Sequence, residues 1–152
     1  MNDNQYGTAQ EIEFCSRVIR VKSKAEAKFA QILNIAWGAG EIIETAYEPE
    51  SFELAYKYRG TNPVQTYTPD FRVVWRDPQR GEKWYEVKCG KLDQKYVNKI
   101  VRFCRQYPQY KLVLVWVGSK PKAKPRRKAR NLTRWERLEK LQGYVDHVWW
   151  LK

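Results

Sequence analysis

The chain has 152 residues, of which 29 are lysine or arginine and 17 are aspartate or glutamate, giving a net charge of +12 at pH 7. This length suits one domain with a hydrophobic core of its own, and the charge surplus favours a polyanionic partner, most often nucleic acid. The longest apolar run is far too short to span a bilayer, and the single histidine, His147, excludes metal sites built from several histidines.

The three cysteines, Cys15, Cys89 and Cys104, are widely spaced and form no Cys-x-x-Cys pair. This arrangement predicts neither a zinc site nor a disulfide framework. Free thiols suit a reducing compartment, and the first residues lack the apolar run of a signal peptide. We therefore expect a cytoplasmic protein without a membrane partner.

Ser23 and Glu26 open the first clearly patterned element, after a weakly patterned stretch over residues 1–20. A serine followed three residues later by glutamate is typical of a capping box at a helix N-terminus. Apolar side chains then recur at helical spacing, and glycines at 38 and 40 end the predicted helix. The recurring residues are Ala25, Phe29, Ile32, Leu33 and Ala36.

Three extended segments are predicted next, over residues 52–58, 64–75 and 84–89. Pro69 interrupts the second segment, and because proline donates no hydrogen bond to a sheet, the first part of this segment suits an edge or a bulge. Turn residues separate the second and third segments, so the two are expected to form a hairpin.

A second helix is predicted over residues 92–107, where apolar and aromatic side chains line one side and Pro108 ends the pattern. Residues 111–117 are nearly all apolar and β-branched or aromatic, as expected for a strand buried on both faces. The order from the first helix onward is therefore α-β-β-β-α-β.

The C-terminal region carries most of the charge surplus. Residues 118–152 hold 11 basic and 3 acidic side chains, a balance of 11 − 3 = +8, against 18 − 14 = +4 for residues 1–117. We interpret 1–118 as the core, 119–131 as a basic linker or arm, and 132–152 as a helix and an aromatic segment docked on the core or on a dimer partner. The helix is predicted over residues 132–141 and a final strand over residues 144–151. A solubilising tail is the alternative.

Asp70, Glu86 and Lys88 are the residues whose pattern indicates chemistry. Glu86 and Lys88 lie two apart on a predicted strand and share a face, while Val87 points to the other face. Two carboxylates can bind a hard divalent cation and a lysine can hold a water, which is the minimum equipment for metal-assisted phosphodiester hydrolysis. The competing interpretation is a turn residue at Asp70 and an ion pair of Glu86 with Lys88 on a solvated face.

The spacing of Asp70 and Glu86 depends on the register of the predicted hairpin. With the turn centred near Gln79, Asp70 pairs with Lys88 and Glu86 pairs with Arg72. Asp70 and Glu86 are then diagonal neighbours on one face, about 7 Å apart at their Cα atoms. A cation fits between two such side chains.

Glu26 has two possible roles. Three residues after Ser23, it completes the predicted capping box. It also lies near the buried stripe of the helix, where a carboxylate is unfavourable unless it is paired or bound to a metal.

The Ser-x-x-Glu helix start, the Thr-Pro-Asp-Phe string at 68–71 and the Tyr-Glu-Val-Lys string at 85–88 together resemble the PD-(D/E)XK nuclease superfamily. Within it, the likeness is to endonuclease I-like Holliday-junction resolvases of bacteriophages and related small phage nucleases. The likeness covers about residues 20–118 and depends on the full order of helix glutamate, Pro-Asp, Glu-x-Lys, helix and buried strand.

The resemblance implies an α/β fold with a restriction-endonuclease-like core, in which helices flank a mixed central sheet. It also implies a Mg²⁺-dependent DNA endonuclease, with Mn²⁺ as a substitute, whose catalytic residues are Glu26, Asp70, Glu86 and Lys88. Asp70, Glu86 and the Val87 carbonyl would bind the metal, and Glu26 would complete a second metal position. Lys88 would orient or help deprotonate the attacking water and offset charge in the transition state.

Branched DNA is the expected partner. A resolvase makes two paired cuts and one chain supplies one active site, which favours a homodimer, while no nucleotide cofactor is expected. A phage-encoded protein would act in the cytoplasm of its bacterial host. The candidate phosphate-binding residues, for the first three of which a solvated helix face is the alternative, are Lys91, Lys95, Lys99, Lys120, Lys122, Lys124, Arg126, Arg127, Lys128 and Arg130.

Two other functions stay open at this point. The same motif occurs in transposon end-cutting subunits and in restriction-type enzymes. A catalytically silent nucleic-acid-binding protein would instead depend on the basic tail alone.

Overall fold

The computed structural model describes residues 9–55, 65–122 and 133–152. Nine strands and three helices occur in these residues. In chain order they are β1 (Gln10–Phe14), β2 (Arg17–Val21), α1 (Lys24–Gly38), β3 (Ile42–Tyr47), β4 (Phe52–Leu54), β5 (Gln65–Tyr67), β6 (Phe71–Trp75), β7 (Glu82–Cys89), α2 (Gln94–Gln106), β8 (Leu112–Val117), α3 (Arg134–Gln142) and β9 (His147–Leu151).

Five strands form one mixed sheet in the order β3-β6-β7-β8-β9, and the pairs β1-β2 and β4-β5 form two small sheets. β6 runs antiparallel to β3 and β7, whereas β7, β8 and β9 are mutually parallel. β8 is buried almost throughout, as its unbroken apolar run predicts. The predicted final strand is also confirmed: it is β9, which extends the sheet beside β8.

Each face of the large sheet packs against helices. Phe29 of α1 contacts Tyr85 on one face, and on the other face Trp84 lies in a second core with Phe103 of α2 and Leu138 of α3. Each such fully buried side chain contributes roughly 1.5–3 kcal/mol relative to exposure. β7 thus supplies alternate residues to both cores, and Glu86 shares the α2 face with Trp84.

The β1-β2 hairpin falls in a stretch to which the sequence assigned no element. Its two turn residues, Cys15 and Ser16, have positive φ angles of 47° and 69°. Such turns favour asparagine and glycine, so a Cys-Ser turn carries little local signal. Asn34 of α1 supports the turn, because its Oδ1 accepts from the Cys15 N–H at 2.7 Å and its Nδ2 donates to the Glu13 carbonyl at 2.8 Å.

Strand β3 was also missed, because a bulge breaks its alternation. Ile42 pairs with Trp75 and Glu44 pairs with Val74, so Ile43 is an extra residue without a partner. One inserted residue reverses which positions after it point to each face of the sheet, so the alternation of apolar and polar residues along the sequence is broken.

Pro69 separates β5 from β6, which confirms the predicted interruption of residues 64–75. Of the predicted strand 52–58, β4 covers 52–54, and residues 56–58 lie outside the described residues. β7 and α2 confirm the predicted strand and helix, with α2 beginning at Gln94 because Asp93 is its N-cap. The predicted helix over 132–141 is α3, although Leu132 lies outside the described part of the chain.

Within 9–55, 65–122 and 133–152, no helix combines the length and apolar character needed to cross a bilayer.

Candidate metal centre

The β6-β7 hairpin brings Asp70 and Glu86 to one end of the sheet. Phe71 pairs with Tyr85, so the predicted pairing of Arg72 with Glu86 is wrong by two residues. The turn is centred nearer to Pro78, where the Trp75 N–H donates to the Gly81 carbonyl at 3.0 Å. A register shift of two residues leaves every side chain on its predicted face of the sheet. Beyond the pair Phe71–Tyr85, the same register sets Asp70 directly opposite Glu86, where the prediction had the two as diagonal neighbours.

Asp70 directly precedes β6 and lies beyond the last residue pair of the β6-β7 ladder. Its side chain, and not its backbone, bonds to β7. Its Oδ2 accepts a hydrogen bond from the Val87 N–H at 2.7 Å. Burial, and next the negative charge of Glu86, raise the pKa of Asp70 well above its ordinary value. A single hydrogen bond from the backbone therefore holds the carboxylate in place without offsetting the energy of burying its charge.

The Val87 carbonyl faces the same region as Asp70. The Trp84 N–H donates to Lys111 of the β8 side, so the even-numbered peptide groups of β7 point at β8 and the odd-numbered ones at β6. Val87 is odd-numbered and lies beyond the last ladder pair, Phe71–Tyr85. Its carbonyl therefore has no strand partner on that side and is oriented toward the space beside Asp70.

Glu86 is buried, with only 9% of its surface exposed. Its Oε2 accepts a hydrogen bond from the Tyr67 hydroxyl at 2.7 Å. Burial raises the pKa of Glu86 to about 7, although this hydrogen bond and the nearby charges of Lys99 and Lys88 act in the opposite direction. The alternative of a solvated ion pair is wrong for Glu86, since the carboxylate is buried and forms no salt bridge with Lys88.

Lys88 is positioned by an aromatic ring of α2. Its Nζ lies 4.2 Å from the centroid of the Tyr96 ring, a cation–π contact. The Tyr96 hydroxyl is buried near Glu86, whose charge adds to burial in raising the tyrosine pKa, but it makes no hydrogen bond within ordinary distance and angle limits. Tyr67 and Tyr96 together therefore enclose the Glu-x-Lys element.

Glu26 is on a different element, α1, and its carboxylate is already hydrogen-bonded. Its Oε2 accepts from the Lys22 N–H at 2.9 Å and the Tyr47 hydroxyl at 2.7 Å, and its Oε1 accepts from the Ser23 hydroxyl at 3.0 Å. Ser23 is the N-cap of α1, as predicted, and accepts from the Glu26 N–H. The reciprocal bond of a capping box goes to Lys22 instead of Ser23, so that part of the prediction is wrong.

Glu48 is an acidic neighbour that sequence reasoning missed. Its N–H donates to the Asp70 carbonyl at 2.8 Å, its carboxylate pairs with Lys22, and its φ of 44° is unusual for a residue other than glycine. The charges of Glu26 and Glu48 both raise the pKa of Asp70. Recognising β3, which ends at Tyr47, would have pointed to this residue.

Tyr67, Tyr96 and Tyr47 were also not assigned to the site by the sequence. Tyr67 directly precedes the Thr-Pro-Asp-Phe string at 68–71, and this position was the one available signal for it. Tyr96 belongs to the buried side of α2, where a core role was the simpler assumption. No local pattern marks Tyr47, because its partner Glu26 is 21 residues away.

The residues present fit a divalent cation held by oxygen atoms. Among the described residues, no three aspartate, glutamate, histidine or cysteine side chains are arranged to hold one metal ion. Asp70 and Glu86 are two such side chains, and the Val87 carbonyl supplies a third oxygen on the Asp70 side. Hard oxygen donors suit Mg²⁺ or Mn²⁺, and a bound cation would relieve the repulsion that raises the pKa of Asp70.

The predicted phosphate-binding residues fall into two described groups. Lys91 is exposed between β7 and α2, Lys95 is exposed in the first turn of α2, and Lys99 is half-buried with its Nζ 5.6 Å from the Tyr67 ring centroid. Lys120 and Lys122 are exposed after β8. The other predicted residues, Lys124, Arg126, Arg127, Lys128 and Arg130, lie outside the described residues.

Comparisons of the chain with protein-family models, curated proteins and solved structures gave no match. Function is therefore inferred from the chemistry of the Asp70–Glu86 pair and the residues around it.

Proposed function

We propose that this chain is a Mg²⁺-dependent DNA endonuclease with a restriction-endonuclease-like core. The observation that carries the proposal is the pairing of half-buried Asp70 with buried Glu86, with Lys88 beside them on β7. Two neighbouring carboxylates that are largely removed from solvent repel each other and add no stability to the fold, so a ligand that needs both is the simplest reason for the arrangement. The α/β architecture, with helices on both faces of a mixed sheet, is compatible with such a core.

The residues of the pair have separate roles in hydrolysis. The Val87 N–H holds the Asp70 carboxylate and the Tyr67 hydroxyl holds the Glu86 carboxylate, so both acids are oriented before substrate arrives. Lys88 orients the attacking water and offsets the negative charge that develops on the phosphate. A Mg²⁺ or Mn²⁺ ion bound by these carboxylates would supply Lewis-acid activation of the phosphate and of the water.

We assign branched DNA as substrate and a homodimer as the active form. The net charge of +12 supports a polyanionic partner, and the motif order resembles that of junction resolvases. Two paired cuts across a four-way junction need two catalytic centres, and each chain offers one Asp70–Glu86 pair. The contribution of Glu26 to a second metal position remains a hypothesis, because three donors already occupy its carboxylate.

The test is cleavage of end-labelled four-way junctions, flaps and linear duplexes of matched sequence, with Mg²⁺, Mn²⁺ or EDTA, at low and high salt. We expect metal-dependent paired cuts near the branch point and much slower cleavage of linear duplex. Asp70→Asn should abolish cleavage while DNA binding persists. Asp93→Asn is the matched control, because it removes an exposed charge of the same kind and asparagine still caps α2.

Cleavage that persists in Asp70→Asn would contradict the proposal, since the activity would not depend on the Asp70–Glu86 pair. Folded protein that cuts none of the substrates and takes up no Mn²⁺ in a calorimetric titration would favour a catalytically silent nucleic-acid-binding protein. Efficient cleavage of linear duplex would favour a restriction-type enzyme. Activity that appears only with a co-purifying transposase would favour an end-cutting subunit.

A further inference from the structure

A cavity of about 750 Å³ opens where the parallel strands β7 and β8 end. Gly90 and Gly118 follow these two strand ends and line it, α1 contributes Lys24 and Lys28, and α3 contributes Arg134. In open α/β sheets, ligands bind in the crevice outside the carboxyl ends of the strands. None of these five lining residues was assigned a binding role from the sequence.

The lining of this cavity is basic and contains no acidic side chain. The Arg134 guanidinium donates to the Gly90 carbonyl at 2.9 Å, which fixes its position at the rim. Lys28 donates to the backbone carbonyl of Lys152, and Lys24 forms no ion pair with another described residue. Three cations in a lining that has no acidic side chain favour an anionic ligand, and phosphate groups are the anions that a nucleic acid presents.

A second cavity of about 470 Å³ adjoins the first, since both are lined by Gly118 and Ser119. Trp150 of β9 lines it and is 36% exposed, so part of its indole is open to solvent. The Lys120 Nζ lies 4.8 Å from the Trp150 ring centroid. An exposed indole beside a lysine is a suitable surface for a stacked base and its phosphate.

The first cavity adjoins residues of the candidate site along the chain. Lys24 and Ala25 directly precede Glu26, and Cys89 and Gly90 directly follow Lys88. The basic cavity therefore begins within one or two residues of both Glu26 and Lys88 in the chain.

We propose that the two cavities form one groove for single-stranded DNA, in which Lys24, Lys28 and Arg134 hold phosphates and Trp150 stacks on an unpaired base. The choice of DNA rests on the proposed nuclease function; the groove itself rests on the cavities and their lining. Bases inside a duplex are stacked on each other and reach an indole only after they are flipped out. The groove would therefore favour DNA with unpaired nucleotides at a branch point.

The test is the affinity for a labelled single strand and for a duplex of equal length, measured by fluorescence anisotropy in EDTA at several salt concentrations. The double variant Lys24→Gln, Lys28→Gln should lower single-strand affinity about tenfold and reduce the salt slope by roughly 0.7 for each lost phosphate contact. Trp150→Ala should lower it about 5- to 100-fold, and Trp150→Phe much less. Lys111→Gln is the control, because Lys111 is exposed at the opposite end of β8 and should change affinity less than twofold.

Single-strand affinity that is unchanged in these folded variants would overturn the groove and leave the nuclease proposal intact. Equal losses for single strand and duplex would overturn the preference for unpaired DNA. Loss of affinity in the variants, combined with no cleavage by the wild-type protein, would support the groove and count against the nuclease. The single substitutions Lys24→Gln and Lys28→Gln replace the double variant if it does not fold.

Discussion

Two acidic regions of this protein differ in how fully their carboxylates are hydrogen-bonded. Glu26 on α1 accepts three hydrogen bonds, from the Lys22 N–H, the Ser23 hydroxyl and the Tyr47 hydroxyl. Asp70 and Glu86 each have one strong donor and face each other's charge, and burial raises the pKa of both. The Glu26 carboxylate finds all its donors within the chain, whereas Asp70 and Glu86 keep a mutual repulsion that only protonation or a cation relieves.

This difference separates a structural carboxylate from candidate ligands. Hydrogen bonds to a charged carboxylate stabilise a fold, and local donors at a helix start supply them readily. The repulsion between half-buried Asp70 and buried Glu86 destabilises the metal-free fold at neutral pH, so function is the better explanation for the pair. The variants below test this distinction in order of expected effect.

The largest effect is expected on cleavage. Asp70→Asn and Glu86→Gln should each lower the single-turnover rate at least 100-fold, because each removes a ligand charge at the reacting phosphate. Glu26→Gln should lower it less than tenfold, since its hydrogen bonds already occupy the carboxylate. An equal loss in Glu26→Gln would assign Glu26 to a metal position and erase the distinction.

The second effect is a pH-dependent stability of the metal-free protein. A carboxyl whose folded pKa is raised contributes stability at low pH, and this contribution is lost as pH rises from its ordinary value of 4.5 through about 7 for Glu86. Glu86→Gln should therefore be more stable than wild type in EDTA at pH 8, by on the order of 1–3 kcal/mol, and similar at pH 4.5. Urea unfolding at both pH values measures this.

Manganese provides the complementary measurement. Saturating Mn²⁺ at pH 8 should raise the melting temperature of the wild type and have little effect on Glu86→Gln, because binding only to the folded state adds stability by mass action. Equal shifts in both proteins would show that the metal binds elsewhere.

The third effect concerns Glu26 and the start of α1. Glu26→Ala leaves three donors without their acceptor and should lower the free energy of unfolding by about 1–3 kcal/mol. The control Glu41→Ala removes an exposed carboxylate and should stay within about 0.5 kcal/mol of wild type. Denaturant unfolding of both variants at one pH separates the two; equal stabilities would mean that the Glu26 hydrogen bonds contribute little.

The smallest effect compares two tyrosines beside Glu86. Tyr67→Phe removes a hydroxyl that donates to Glu86 at 2.7 Å and should destabilise the protein by about 1 kcal/mol at pH 8, while Tyr96→Phe removes a hydroxyl that is poorly aligned with Glu86 and should have a smaller effect. Tyr96→Phe keeps the ring that contacts Lys88 and should retain cleavage, whereas Tyr96→Leu should slow it. Equal cleavage rates in the phenylalanine and leucine variants would remove the ring from the site.

Several parts of the fold could be predicted because their signals are local. The buried run of β8, the Ser23 cap of α1 and the interruption at Pro69 each depend on residues adjacent in the chain. The β1-β2 turn and β3 could not, because Asn34 supports the Cys15–Ser16 turn from a helix and the bulge at Ile43 hides the alternation.

By itself, the sequence determined that Asp70, Glu86 and Lys88 lie on one side of a β-hairpin, because strand side chains alternate with period two and a register error of two residues preserves their face. Only the tertiary structure decided that Asp70 is held by the Val87 N–H, that tyrosines enclose Glu86 and Lys88, and that Glu26 is bonded to Tyr47. These contacts join residues that are distant in the chain, and their positions depend on how the sheet and helices pack.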